Sequence, residues 1–283
     1  MPEFNICRLD VSQYLNALTE QELYFIPPPG NAGDAVIALG TYQLFARLGI
    51  TPWSVNFEDQ PYMEGKTILF GGSGNLVEGK YRELHDAILK YLQWGNRCVL
   101  LPQTIFGYED LVKYTQSGQL TIFCREETSY KLCAIANGLD TSNLFLDEDM
   151  AFQIDPEFIR PFAEKKGTGC AYCFRTDAES SHQIPLTNSN RDISLSWNGS
   201  LWHDWDMTHS VVVSLLTYLS RFETIRTDRL HIAILGSLLG KRVFMYPNSY
   251  YKNRAVYELS LANRGNTFFV NTDPSFQGQT LIQ

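Results

Sequence analysis

The segment Arg226-Thr227-Asp228-Arg229-Leu230-His231 combines the residue types of an anion site with a proton carrier. The run from Glu223 to Arg226 predicts a short strand, and the apolar-periodic run from Arg229 to Leu239, stopped by Gly240, predicts a helix. Thr227 or Asp228 then caps that helix. Arg226 and Arg229 bring two cations to a helix N-terminus that already favours anions. His231 falls in the first turn, where an imidazole titrating near neutrality can trade protons. A lone histidine in such a place is more often satisfied by a backbone carbonyl. The two arginines and the strand-to-helix placement weigh against that reading.

Four other segments carry related chemistry. Gly30-Asn31-Ala32-Gly33-Asp34 lies between a strand and a helix, so its glycines permit close approach and its free N–H groups suit phosphate or carboxylate. It has neither the dinucleotide-binding spacing nor the Gly-Lys-Ser/Thr of a P-loop. Its bland reading is a tight turn with Asp34 as helix cap. Gly71-Gly72-Ser73-Gly74-Asn75 repeats the pattern after the next strand, as a weaker signal. Arg125 ends an apolar strand, which places its planar fork at the cleft-facing edge of a sheet; a surface pair with Glu126 or Glu127 is the alternative. Lys252 lies in the loop after a later strand, beside the His231 loop in a doubly wound arrangement. A solvated lysine is the ordinary outcome there. Asp149, after another strand, either faces the cleft or lies in a solvated turn.

These segments need a parallel sheet to bring them together, and the chain supplies the pattern. Apolar strands at Leu23–Ile26, Lys66–Phe70, Cys98–Leu101, Leu120–Cys124 and Leu144–Leu146 alternate with helices over Asp34–Leu48, Tyr81–Trp94 and Glu126–Asn137. Strands apolar on both faces argue for an α/β, doubly wound parallel sheet. Asp155 to Gly169, with two prolines and a Glu-Lys-Lys run, predicts a linker between residues 1–155 and residues 156–283. The second half reads as strands at Cys170–Phe174, Ile193–Trp197, Glu223–Arg226 and Val243–Tyr246, with helices over Thr208–Leu219, Arg229–Leu239 and Asn253–Ala262. From Asn266 the tail reads as irregular. Two such lobes hold ligands in the cleft between them, at the strand C-termini.

Composition bounds the function. A chain of 283 residues, 44% apolar and 19% charged, buries a core without disulfides. Its net charge of −8, with no basic stripe, argues against a nucleic-acid partner. No apolar window is long enough for a membrane span and no leader pattern opens the chain. Six cysteines, mostly inside apolar runs, read as reduced core thiols of a cytoplasmic protein. Cys170 and Cys173 have zinc-like spacing but form only one pair, and alternate sides of a strand separate them. The run His203-Asp204-Trp205-Asp206 with His209 reads as a packing or sugar-stacking loop rather than a metal site.

Taken in order, Gly30-Asn31-Ala32-Gly33-Asp34, Gly71-Gly72-Ser73-Gly74-Asn75, Arg125-Glu126-Glu127-Thr128-Ser129, Asp149-Met150-Ala151, Thr227-Asp228-Arg229-Leu230-His231 and Lys252 resemble the polysaccharide pyruvyl transferase family. The resemblance spans most of the chain. It implies two Rossmann-like lobes of the GT-B type around a central interdomain cleft. It implies transfer of a pyruvyl unit from phosphoenolpyruvate to a sugar diol, giving a pyruvate ketal and phosphate in exopolysaccharide biosynthesis. The family's essential histidine falls on His231, its later basic residue on Lys252, and its Arg-acid motif on Arg125. Asn31, Gly33, Asp34, Gly72, Asn75, Asp149, Arg226 and Arg229 are then the expected substrate contacts. No metal or cofactor is expected beyond the donor. The acceptor is a saccharide, free or lipid-linked at the inner membrane face. The chain departs from the family at Ile232, where glycine is common after the histidine, and at Ser73, which interrupts a glycine run. A sugar-nucleotide glycosyltransferase of the same fold, or a non-catalytic saccharide- or anion-binding protein, are the alternatives.

Overall fold

Parallel strands carry the site, and two sheets supply them. A computed structural model describes residues 5–18, 21–181, 184 and 186–271. The first half contributes β1 (Leu23–Ile26), β2 (Gly30–Asn31), β3 (Trp53–Ser54), β4 (Thr67–Phe70), β5 (Ser73–Val77), β6 (Arg97–Phe106), β7 (Leu120–Cys124) and β8 (Leu144–Leu146). All but β2 form a seven-stranded parallel sheet ordered β3-β1-β4-β6-β7-β8, with β5 on the C-terminal half of β6. Its helices are α1 (Val11–Asn16), α2 (Ala32–Leu48), α3 (Glu83–Gln93), α4 (Glu109–Val112) and α5 (Glu127–Ala136). The second half contributes α6 (Pro156–Ala163), β9 (Cys170–Cys173), β10 (Asn198–Gly199), α7 (Trp205–Leu219), β11 (Thr224–Thr227), α8 (Leu230–Leu238), β12 (Arg242–Met245), α9 (Lys252–Val256) and β13 (Thr267–Phe269). Here the parallel order is β13-β12-β11-β9. The fold is thus mixed α/β with mostly parallel sheets, as the alternating pattern predicts.

Both faces of the first sheet are buried, which explains its uninterrupted apolar strands. Ile68, Phe70, Leu100 and Ile122 face α3 and α5, while Leu69, Val99, Leu101 and Phe123 face α1 and α2. Helix α2 is buried almost all round, as an unstriped apolar sequence requires. Its Ile37, Leu44 and Phe45 pack on the first sheet. Its Val36 and Leu39 pack instead among Val211, Leu215 and Ile234 of the second half. One helix therefore fixes the two sheets relative to each other.

Gly40 lets α2 cross the segment that carries Asp149. A side-chain carbon there would overlap the Met150 carbonyl oxygen. Gly40→Ala is expected to cost about 1–3 kcal/mol through overpacking, more than the helix propensity of alanine returns. Thermal denaturation checks it, and an unchanged or raised melting temperature would show that the segment yields freely.

Several elements differ from their sequence expectation. The expected linker contains α6, which Asp155 caps through Glu157 N at 2.8 Å, with Pro156 at the first helical position. Ile193–Ser196 forms a 3₁₀ turn rather than a strand, touching the β9 edge through Arg191 N to Tyr172 O at 2.9 Å. Past Asn266, where an irregular tail is expected, Thr267–Phe269 is instead a strand paired with β12, with Phe268 against Phe244; residues 272–283 lie outside the described residues. Asn198–Gly199 pairs antiparallel with Gly30–Asn31, tying the second half to the turn before α2. Among the described residues no helix is long and apolar enough to cross a membrane.

Candidate active site

Asp34, Arg125, Arg229, His231 and Lys252 line one cavity of about 60 Å³. Asn31, Gly74, Asn75, Tyr81, Arg175, Glu179, Ser194 and Leu230 complete its wall. Nearly all follow the C-terminal end of a parallel strand, where backbone groups and side chains of successive loops converge.

Arg125 follows β7 and is 1% exposed. Its Nη1 lies 2.7 Å from Asp149 Oδ2, and its Nε donates to Thr104 at 2.9 Å. His231 Nε2 lies 3.5 Å from the same Asp149 oxygen. The other Asp149 oxygen accepts Ala151 N at 2.8 Å. Burial alone would raise the Asp149 carboxyl, but Arg125 and His231 outweigh it and hold the group well below the usual carboxylate range. Asp149 therefore stands behind the cavity as an ionised partner of Arg125, within 3.5 Å of His231, whose buried Nε2 has no hydrogen-bond partner. His231 itself is pushed below the ordinary histidine value, first by burial and then by Arg125 and Lys252. It is neutral at pH 7 and competent as a base.

Lys252 opens α9. Asn253 fixes it there by donating to Asp228 O at 2.6 Å and Tyr246 O at 2.9 Å. Its Nζ is 2.8 Å from Glu179 Oε2, which Arg175 Nη2 also reaches at 2.8 Å. Burial lowers Lys252 to about 8. Glu179 would rise on burial, but Lys252 and Arg175 bring it down to about 2. Arg229 chelates Asp192 through Nε at 2.8 Å and Nη2 at 2.6 Å, with Asp177 also at 2.8 Å. Its buried Nη1 has no hydrogen-bond partner. A buried donor left unmade is costly, and Arg229 is also a residue of the cavity wall.

Glycines make the close approaches possible. A side-chain carbon at Gly33 would overlap the His231 ring, and one at Gly74 would lie 3.0 Å from Arg125 Nη2. Gly33 serves the imidazole, and its own N–H is taken by Asn31 Oδ1 at 2.8 Å. Gly72 is not on the cavity wall. It packs against β6, where a side-chain carbon would be 2.7 Å from Pro102 O. Asn75 lines the cavity and donates to Pro29 O at 2.8 Å.

Arg226 is not brought to the cavity. Neighbouring strand residues point to opposite faces, and Arg226 stacks 4.5 Å above Phe244 with Nη1 2.7 Å from Tyr246 Oη. Asp228 does not cap α8 either. It accepts Arg175 N at 2.7 Å, and burial raises it to about 6. Arg175 and Glu179 escaped the sequence reading. Arg175 follows the apolar strand β9 much as Arg125 follows β7, and that was the available signal. Glu179 lies in an aperiodic loop and had none.

A hollow of about 530 Å³ near Tyr81 contains His85. That imidazole is clamped by Asp86 at 2.9 Å and Asp110 at 3.0 Å, so both ring nitrogens are occupied. The Cys170/Cys173 pair is unbridged, with Cys173 buried, and Asp204 caps α7 while His203 bonds Ser200 O at 3.0 Å. The charge-rich cavity at His231 is the chemically equipped one.

A family model described as polysaccharide pyruvyl transferase matches residues 31–250. The chain belongs to that family. It is 26% identical over 269 residues to EpsO of Bacillus subtilis (strain 168), provisionally named a pyruvyl transferase, covering 80% of this chain and 81% of EpsO. The crystal structure of an uncharacterised protein from Klebsiella pneumoniae subsp. pneumoniae NTUH-K2044 superposes with a TM-score of 0.81 at 36% identity, covering 92% of this chain and 97% of that one.

Proposed function

We propose that the protein moves a pyruvyl group from phosphoenolpyruvate to two hydroxyls of a saccharide, forming a cyclic ketal and releasing phosphate. The observation that carries this reading is the charged cavity: Arg125, Arg229 and Lys252 surround a space of about 60 Å³ beside His231, with Asp34 and the Arg175–Glu179 ion pair on the same wall. That volume suits an anionic group, while drug-sized ligands occupy roughly 300–1,000 Å³. Phosphoenolpyruvate presents a phosphate and a carboxylate, and fixed cations stabilise both where the reaction keeps them charged. Arg229, on that wall, keeps its buried Nη1 without a hydrogen-bond partner. His231, held neutral beside Asp149, moves a proton between hydroxyl and donor. Charge neutralisation falls to these side chains, and no cofactor is invoked.

The same reading takes residues 1–155 and 156–283 as Rossmann-like lobes of the GT-B type, in a cytoplasmic enzyme whose lipid-linked or free acceptor is met at the inner membrane face. Incubation with phosphoenolpyruvate and saccharides tests it by mass spectrometry. Acceptor-dependent phosphate release with a matching mass gain is expected. Turnover of nucleotide sugars alone would assign the site to glycosyl transfer instead.

A further inference from the structure

The small charged cavity shares a wall with a larger one of about 370 Å³. Asn31, Asp34, Asn75, Tyr81 and Arg175 line both. We propose that the larger cavity receives the saccharide, and that Asp34 on the shared wall carries protons between acceptor and donor. The proposal rests on the pyruvyl-transfer reading and assigns the partner site that reading leaves open.

Size and charge separate the two spaces. The larger cavity lies within the range of small-molecule sites. Its one arginine, Arg175, is already bound to Asp177 at 2.8 Å and Glu179 at 2.8 Å. Asp177 and Glu83 add negative charge to its wall. Such a surface repels a second anion and suits a neutral polyol. Asn31, Asn75 and Asn198 make part of its wall polar, while Leu84 and Leu195 offer an apolar side for sugar carbons.

Asp34 is placed to connect them. It occupies the third position of α2, bonded to the Asn31 backbone, while Asn31 caps Gly33 N at 2.8 Å. The carboxylate lies against Gly30, where a side chain would overlap it. Among the described residues no Lys or Arg nitrogen forms an ion pair with it, in contrast to Asp149 and Glu179. Burial raises it to about 7, opposed by Arg125 and Lys252 and assisted by Glu179. The small cavity also turns Arg175, Arg229, His231 and Tyr81 towards this space, and the larger one adds Asp177 and Glu83. Asp34 is thus an acid near neutrality beside a histidine held as a base, a separation that divides proton work between two groups.

The proton account closes. Asp34 protonates the methylene carbon of the donor, which becomes a methyl group. His231 takes the proton of the first hydroxyl as its oxygen bonds to the central donor carbon. The second hydroxyl then bonds to that carbon while the carbon–oxygen bond to phosphate breaks. His231 returns its proton to the leaving phosphate, and Asp34 recovers one from the second hydroxyl. Of the two hydroxyl protons, one ends on phosphate and the other restores the proton that Asp34 gave to the methyl group.

The test compares the wild type with Asp34→Asn and Leu195→Trp, using phosphoenolpyruvate and a panel of methyl hexopyranosides. Asparagine keeps the shape and the acceptor for Asn31. Asp34→Asn is expected to lower kcat by about 10²-fold or more while the KM for phosphoenolpyruvate stays nearly unchanged. The wild-type rate should fall as pH rises through about 7, where Asp34 loses its proton. That limb should vanish in Asp34→Asn, leaving the one near 8 from Lys252. Leu195→Trp should raise the saccharide KM and leave inorganic phosphate binding intact. A retained rate and pH limb in Asp34→Asn, or an unmoved saccharide KM in Leu195→Trp, overturns the proposal alone. Absence of phosphate release by the wild type with every saccharide overturns the proposal together with the pyruvyl-transfer reading.

Discussion

Replacing His231 with glutamine is expected to reduce saccharide-dependent phosphate release by about 10²–10⁴-fold, the usual contribution of a positioned proton carrier. The fold should survive. His231 lies in the first turn of α8, its ring occupies the space left by Gly33, and its Nε2 makes only a 3.5 Å approach to Asp149. Asp149 keeps its closer partner Arg125. Glutamine fills part of the space and cannot act as a base. Donor binding, measured as protection by phosphoenolpyruvate against thermal unfolding, should persist because Arg125, Arg229 and Lys252 remain. The pH profile supplies a second readout. His231 is lowered by burial, so wild-type activity should fall as pH drops through a value below the ordinary histidine range. The variant should lack that acidic limb. A kcat within a few-fold of wild type, with the limb intact, would falsify the assignment of proton transfer to His231.

Much of this site was legible because the strand-to-helix punctuation was legible. Arg125, Arg229, His231 and Lys252 each stand near a strand end, and parallel strands carry such residues to one side of a sheet. Which residue of a strand end faces inward was less accessible. Strand side chains alternate, so Arg226 points to Phe244 while Thr227 bonds Cys173 O at 2.7 Å. Gly72 and Gly74 are equivalent in the sequence, yet only Gly74 faces the cations. The division of labour in α2 was hidden for another reason. Its sequence has no polar stripe, so periodicity could not show that Val36 and Ile37 serve different cores. The β2–β10 pair was also beyond reach, because pairing of two-residue segments 168 positions apart (30 to 198) leaves no local signature.

Arg125→Met is expected to cost about 3–5 kcal/mol of stability as well as activity, because it leaves the buried Asp149 carboxylate without its cation. For a chain of this size that corresponds to a fall in Tm of roughly 6–20 °C. The dependence on pH follows from the depressed carboxyl of Asp149. A group whose folded value lies below its unfolded value stabilises the fold above the unfolded value, about 3.9 for aspartate, and loses that contribution as pH falls towards the folded one. Without Arg125 the burial penalty on Asp149 is left largely unopposed, and protonation relieves it. The gap between wild type and variant should therefore be widest near neutrality and shrink on acidification through the carboxylate range. A deficit that is constant with pH would place the loss in packing rather than charge. The double variant Arg125→Met/Asp149→Asn separates the two uses of the pair. Two neutral side chains leave no buried charge, so the double variant should be less destabilised than the single changes added together. Its transfer activity should stay as low as that of Arg125→Met, since both the donor cation and the carboxylate beside His231 are gone. Stability recovered without activity would mean that this buried pair is kept for what it holds at the cavity, not for what it adds to the fold.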